Sequence, residues 1–141
     1  MILGPSNQAL AGDSGRSSNN EIVAAVIIAE AGGESLKCQI AVYEVIRNRS
    51  KTKNRTPAQI CLIPSQFSCL NKTSVIDLVN KSKRHKQWNT ILKLVEFTPK
   101  TNYIKNANHF ENAKIRPYWV KQAIFVSQIG KMRFYYLGQF K

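Results

Sequence analysis

The feature that most constrains the fold of this chain is the uninterrupted apolar run from Ile22 to Ala29, which is followed at once by Glu30. Such a run predicts a helix that is apolar on nearly every face and is therefore buried. Asn20 is its predicted N-cap, and the acidic Glu21 begins its first turn. The Gly32–Gly33 pair is expected to end the helix, because glycine accepts a left-handed backbone. The run is far shorter than the roughly 18 residues of a transmembrane helix.

The remaining sequence predicts a single domain over residues 20–141, preceded by a flexible segment over residues 1–19 that is rich in Gly, Ser and Asn. Further helices are expected over residues 35–50, from Thr56–Pro57 to just before Pro64, and from Trp88 to near Pro99. Between them, Gln66–Cys69 is expected to be a loop with one buried aromatic side chain, Phe67.

The C-terminal part has a different character. Residues 122–129 and 132–137 are rich in Ile, Val, Phe and Tyr and flank Gly130–Lys131, which predicts two antiparallel strands joined by a tight turn. Residues 107–111 are expected to form an extra strand or a loop beside them. The predicted class is therefore α+β, with a mainly helical N-terminal part and a small antiparallel sheet near the C-terminus.

The charge balance concerns partners more than fold. The chain has 21 Lys and Arg against 8 Asp and Glu, a formal net charge of +13. Such a charge suits nucleic acid, an anionic membrane surface, or an anionic polymer such as a bacterial cell wall. Charge alone favours nucleic acid, and that interpretation requires the basic stretches Lys51–Arg55 and Lys81–Lys86 to form one continuous patch.

The cysteines indicate a reducing compartment. An odd, small number of cysteines, namely Cys38, Cys61 and Cys69, argues against a disulfide framework, although Cys61 and Cys69 are close enough in sequence to bridge. Reduced thiols fit synthesis in a cytoplasm. Residues 1–20 lack the basic and apolar regions of a secretory signal, so cytoplasmic synthesis is the expectation.

Among the few carboxylates, Glu30 stands out because it follows an almost wholly apolar helix. Burial and the negative end of the helix dipole both disfavour a charged carboxylate and raise its pKa. A carboxylic acid that stays protonated near neutral pH can serve as the general acid in glycosidic bond cleavage. The same pattern is equally typical of a glutamate at a helix end that pairs with Arg or Lys.

The other carboxylates have weaker signals. Glu34 could be a second catalytic carboxylate, could orient Glu30, or could cap the second helix, and capping or orienting is favoured. Glu111, near His109, is the third candidate. Three more carboxylates lie among basic or polar neighbours and are expected at the surface; these are Glu44, Asp77 and Glu96.

Other chemistries have less support. The two histidines, His85 and His109, are too few for a zinc hydrolase, and no metal or cofactor is predicted. Cys69 with His109 could form a thiol nucleophile and its base, but only the residue types support that. His85 lies in a charge run and is expected to be solvated. For His109, a structural and a functional role are equally open.

Short motifs follow one another in order along the predicted domain. They are Glu30–Glu34, Gln39–Val42, Ile46–Arg49, Gln66–Ser68, Asn106–Phe110, Pro117–Trp119, Ile129–Gly130 and Phe134–Tyr135. Together they resemble the SleB-like cell wall hydrolases, and the resemblance runs from about residue 21 to 137. It departs from the family at Ala29, Gly32 and Asn108, and at Lys131–Met132.

The resemblance implies a lysozyme-like α+β scaffold and an enzyme of the lytic transglycosylase type that cleaves peptidoglycan glycan strands, with Glu30 as the single acid/base. A hydrolytic lysozyme would add Glu34 or Glu111 as a second carboxylate. Residues with matching motif positions or suitable chemistry are candidates for binding sugars; these are Gln66, Ser68, Asn108, His109, Tyr118, Trp119 and Tyr135. The expected context is a monomeric phage endolysin, made in the host cytoplasm and released at lysis, whose positive charge draws it to anionic wall polymers.

Overall fold

The computed structural model describes residues 18–64, 66–112 and 116–138. Most of the predicted flexible segment, residues 1–17, lies outside the described residues. Within them the chain forms helices α1 (Asn19–Ala31), α2 (Leu36–Lys53), α3 (Pro57–Cys61), α4 (Val75–Ser82) and α5 (Trp88–Phe97), then strands β1 (His109–Asn112), β2 (Ile124–Ile129) and β3 (Met132–Tyr136). Short 3₁₀ helices cover Ser68–Leu70 and Tyr118–Gln122. The predicted α+β class is confirmed.

Helix α1 is the centre of the core. Every residue from Ile22 to Ile28 is buried, and α1 packs against each of the four other helices in the described residues. Burial of each large side chain, such as that of Val23 or Ile27, contributes about 1.5–3 kcal/mol. Ala29 departs from the expectation, because it is exposed at the end of the apolar run.

The predicted start of α1 is wrong by two residues. The N-cap is Ser18, whose hydroxyl accepts from the Glu21 backbone N–H at 3.1 Å, while the Glu21 carboxylate accepts from the Ser18 N–H at 3.0 Å. This capping box satisfies two backbone donors at once, and the single side chain of Asn20 could not do that. Ser18 and Asn19 therefore form the start of α1.

Helix α2 begins after Ser35, whose hydroxyl caps it, and runs three residues beyond the predicted end to Lys53, where Asn54, with a positive φ of 53°, is its C-cap. The expectation that Glu44 lies at the surface is wrong. Its side chain is only 4% exposed and accepts hydrogen bonds from the Thr101 hydroxyl and the Ile104 backbone N–H.

The remaining helices divide into predicted and missed elements. Thr56 caps α3 as expected, and α5 covers the predicted segment from Trp88. Helix α4 was not predicted, although its apolar residues Leu78 and Val79 face the core. His85, expected to be solvated, is half-buried just beyond α4.

The three strands form an antiparallel sheet in the order β1-β3-β2. Gly130, with a φ of 59°, makes the predicted turn between β2 and β3, and the pairing shifts between Phe125 and Ser127. Strand β3 is central and carries the fully buried Phe134, which attaches the sheet to the helical core.

No described helix has the length and apolar character required to cross a membrane.

Candidate active site

Glu30 lies in the last turn of α1, and the chain around it is fixed by hydrogen bonds. The Gly32 N–H closes the helix on the Ile28 carbonyl at 2.7 Å, and Gly33 then turns the chain with a φ of 90°. The buried Gln39 amide donates to the Ala31 carbonyl at 3.1 Å and so satisfies one acceptor at the helix end. These hydrogen bonds connect the backbone around Glu30 to the buried core and so fix its position.

The Glu30 side chain lines a mostly polar cleft of about 410 Å³. The walls come from α1, α2, the residues around the first 3₁₀ helix, β1 and the second 3₁₀ helix. The other lining residues are Arg49, Gln66, Phe67, Ser68, Asn71, His109, Phe110, Tyr118 and Trp119. The structure thus brings together Glu30 and five of the seven predicted sugar-binding residues, from segments up to 89 positions apart in sequence.

The electrostatics of the cleft favour a protonated Glu30. Burial raises the pKa of its carboxyl above the ordinary value, whereas a hydrogen bond from the Cys69 thiol and the nearby charge of Arg49 lower it in part. Desolvation is the largest of these effects, so the net direction is upward. Glu30 is also the only acidic side chain among the described residues that line this cleft.

Arg49 organises the cleft wall. It is 5% exposed; its Nε donates to the Asn108 carbonyl at 2.7 Å, and its Nη1 donates to the Gln66 amide oxygen at 3.2 Å. The guanidinium also lies over the Phe67 ring, 5.1 Å from its centroid. One side chain of α2 therefore positions residues from two segments, and Phe67 is buried as expected.

His109 faces the cleft as a neutral ring. Burial lowers its pKa to about 4, and the charge of Arg49 acts in the same direction. The ring packs against Trp119 with centroids 4.8 Å apart, and its Nδ1 lies 2.9 Å from the Asn108 side-chain oxygen. A neutral imidazole in this position can offer a hydrogen bond without adding charge near Glu30.

Asn108 and Tyr135 lie behind the cleft rather than in its lining. The Asn108 amide ties β1 to the chain after β3 through two hydrogen bonds with the Leu137 backbone, at 3.0 and 2.9 Å. The Tyr135 ring packs edge-on against Trp119, and its hydroxyl donates to Glu111 at 2.8 Å. Both residues therefore support side chains that do line the cleft.

The two other candidate carboxylates also lie outside this lining. Glu111 is 5% exposed and is paired with Arg133, whose Nε lies 2.9 Å from Glu111 Oε2. Glu34 sits beside Gly130 of the β2–β3 turn, since a Cβ on that glycine would lie 3.2 Å from Glu34 Oε1. Glu34 does not cap α2 with its side chain, because Ser35 does so.

The cysteines are free thiols, as predicted. Burial raises the pKa of Cys69 to about 12, and the charge of Glu30 acts in the same direction. A thiol held protonated is a poor nucleophile, so the structure argues against a Cys69–His109 pair in catalysis. Its contact with Glu30 was missed because nothing in the sequence indicates which side chain meets a helix end 39 positions away.

The two basic stretches do not share a cavity among the described residues. Lys51 lines one space beside Glu44, whereas Lys81 lines another beside α1. The described residues contain no group of three His, Cys, Asp or Glu side chains placed to hold a metal ion.

Comparisons with known proteins give one family and one fold. The model of the Cell Wall Hydrolase family matches residues 33–135, a range that begins just after Glu30. No curated protein sequence matches significantly. The catalytic domain of the germination-specific lytic transglycosylase SleB from Bacillus anthracis superposes with a TM-score of 0.67 at 21% identity, over 87% of this chain and 98% of that domain. At this identity the match establishes the shared fold.

Proposed function

Since the chain belongs to the family of SleB-like cell wall hydrolases, we propose that it cleaves the β-1,4 bond between N-acetylmuramic acid and N-acetylglucosamine as a lytic transglycosylase. Glu30 is the acid and then the base of this reaction. The family match starts at residue 33, so the role of Glu30 rests on the geometry of the cleft.

One observation carries the proposal: Glu30 is the single acidic side chain among the described lining residues, and burial raises its pKa. A glycosidase that activates water normally places two carboxyl groups across the scissile bond. Glu34 and Glu111 are absent from the described lining, which supports a mechanism with one carboxyl group. The structural relative is itself a lytic transglycosylase.

The reaction needs one proton to move out and one to move back. Protonated Glu30 donates to the glycosidic oxygen, so the bond from that oxygen to the muramic acid C1 breaks and N-acetylglucosamine leaves as an alcohol. The C6 hydroxyl of the muramic acid then attacks C1, and the Glu30 carboxylate takes the hydroxyl proton. The muramic acid end becomes an anhydro sugar, and Glu30 is protonated again.

The other lining side chains suit a sugar. Gln66, Ser68 and His109 supply polar atoms without net charge, which fits a neutral glycan next to the acid. Tyr118 is 88% exposed at the rim of the cleft, and Trp119 is held by ring contacts with His109 and Tyr135. Aromatic faces in these positions can stack on sugar rings.

Mass spectrometry of the muropeptides released from purified peptidoglycan tests this mechanism. We expect anhydro ends from the wild-type protein, and release slowed on the order of 10²–10⁴-fold by Glu30→Gln with its fold intact, as judged by circular dichroism. Reducing ends would instead favour a muramidase that uses water. Full activity of Glu30→Gln would remove Glu30 from the mechanism.

We further propose that the enzyme acts as a monomeric phage endolysin that awaits lysis in the host cytoplasm. The three free thiols and the charge of +13 support this context. We expect host cells that express the chain in the cytoplasm to lyse only after chloroform opens the membrane. Lysis without chloroform would contradict the expected retention.

A further inference from the structure

A second cavity of about 640 Å³ adjoins the end of α1 next to the Glu30 cleft. Cys69 lines this cavity, and Ser68, its neighbour in the chain, lines the Glu30 cleft. Ala29, the chain neighbour of Glu30, lines the cavity as well. Neighbouring residues of the same two segments therefore line this space, which we term the basic cavity, and the cleft of the proposed reaction centre.

The walls of the basic cavity combine two chemistries. Ile28, Ala29 and Leu78 make an apolar side, and Lys81, Arg84 and His85 make a basic side. None of the described residues that line it is acidic. A ligand that fills this space therefore needs both apolar groups and negative charge.

The side chains of the basic stretch Lys81–Lys86 do not all face the basic cavity. Lys81, Arg84 and His85 are spaced by three and four positions around the end of α4, so they share one side. Lys83 lies between them in sequence but points elsewhere, since its Nζ forms an ion pair with Glu21 at 3.1 Å. Only some side chains of this stretch therefore line the cavity. A charge run that served solubility alone would not need this division.

The basic side chains keep donors for a ligand. Arg84 uses Nη1 to donate to the Asn80 carbonyl at 3.4 Å, and its guanidinium carries four further N–H groups. His85 Nδ1 accepts from the Gln87 backbone N–H at 3.1 Å, so the neutral ring carries its proton on Nε2. Arginine with neighbouring lysine is well suited to carboxylates.

The geometry points to the basic cavity as the subsite for the stem peptide of peptidoglycan. That peptide alternates small apolar residues with free carboxylates, which matches the two kinds of wall. It is attached to the lactyl group of the muramic acid, next to the bond that Glu30 cleaves. The inference thus rests on the proposed function, because only a glycan held in the Glu30 cleft brings a stem peptide to this place.

Two substrates test the inference: peptidoglycan freed of other wall polymers, and the same glycan after an amidase has removed its stems. We expect the wild-type protein to release products from the stem-bearing glycan about tenfold faster at low substrate concentration, as one charge-assisted contact allows. The double variant Lys81→Glu/Arg84→Glu should lose this preference and keep the wild-type rate on the stem-free glycan.

A matched control separates local recognition from general attraction to the wall. Lys93 and Lys100 are exposed and do not line the basic cavity, so Lys93→Glu/Lys100→Glu changes the net charge equally. This control should keep the preference for the stem-bearing glycan. Equal losses in both double variants, at matched Tm values, would overturn the inference.

The substrates also separate this inference from the proposed function. If the wild-type protein cleaves both glycans at the same rate, the stem subsite is wrong and glycan cleavage stands. If the Lys81/Arg84 variant is slowed equally on both glycans, the cavity does not recognise the stem peptide and the inference is wrong. If the wild-type protein cleaves neither glycan, the proposed function fails and the inference fails with it.

Discussion

Two regions of the molecule hold a carboxyl group away from bulk water, and they do so in different ways. In the sheet, Glu111 Oε2 accepts hydrogen bonds from Arg133 at 2.9 Å and Tyr135 at 2.8 Å, and the side chain is sealed from solvent. At the end of α1, Glu30 is only partly buried and borders a cleft, and the nearby Cys69 and Arg49 side chains lower its pKa only in part. Burial is common to both regions, so burial does not identify an acid.

The difference lies in compensation and access. The Glu111 carboxylate is stabilised by a cation and a hydroxyl, as is usual for buried charges in a structural role. For Glu30, desolvation outweighs the favourable contacts, so its pKa rises while the cleft leaves it within reach of a substrate. A carboxyl group that has a raised pKa and that a substrate can reach is typical of an active site.

The largest expected effect is on activity, from Glu30→Gln. Loss of the proton donor should reduce the rate of muropeptide release on the order of 10²–10⁴-fold. The free energy of unfolding at neutral pH should stay equal or rise, because the folded state disfavours an ionised Glu30 and a neutral amide removes that cost. Release assays and urea unfolding measure the two quantities. A large loss of stability would mean that Glu30, like Glu111, has a structural role.

The next effect is on stability, from the matched substitution Glu111→Gln. We expect the free energy of unfolding to fall by about 2 kcal/mol, since the hydrogen bonds from Arg133 and Tyr135 lose their charged acceptor. The folded fraction should keep its activity within a few-fold in the same release assay. An activity loss comparable to that of Glu30→Gln would mean that Glu111 belongs to the catalytic machinery.

A smaller loss of stability is expected for Glu44→Gln on α2. Glu44 offers separate oxygens to Thr101 and Ile104, and an amide has only one acceptor oxygen. The Thr101 hydroxyl is half-buried and can turn toward water, so the cost should be about 1 kcal/mol. Urea unfolding measures it, and an effect larger than that of Glu111→Gln would reverse the ranking of the two structural carboxylates.

The smallest expected effect is on the pH dependence of activity, and it tests which contacts set the pKa of Glu30. Activity needs protonated Glu30, so it should fall as pH rises through the raised pKa. The Cys69 thiol lowers that pKa, and Cys69→Ala should therefore move the alkaline limb of the pH–activity profile to higher pH. Cys69→Ser keeps a donor and should not move the limb upward. An unchanged limb in the alanine variant would show that the thiol does not act on Glu30.

The sequence predicted those parts of the site that depend on a single segment. The apolar run from Ile22 ends in Glu30, and that pattern was enough to indicate a buried helix with an acid at its end. The strands around Gly130 were likewise predictable, because the turn and the apolar pattern are local. The α+β class and the family resemblance are confirmed by the fold and the family match.

Most of the predictions that failed concern side chains whose contacts lie in distant segments of the chain. Glu44 was expected at the surface, but the loop with Thr101 and Ile104 covers it. Helix α4 was missed because Lys81 and its basic neighbours conceal the short apolar pattern before them. Cys69 gave no signal because its relevant neighbour belongs to another segment.

Helix α1, which packs against the four other helices that the structure describes, also bears on how such an enzyme can diversify. A change of volume at Ala24 or Ala25, both fully buried, would shift the acid by displacing the helix that carries it. Adaptation to a wall of different chemistry is therefore left to Tyr118, Asn71 and Lys81, which are exposed and can vary without moving the proton donor.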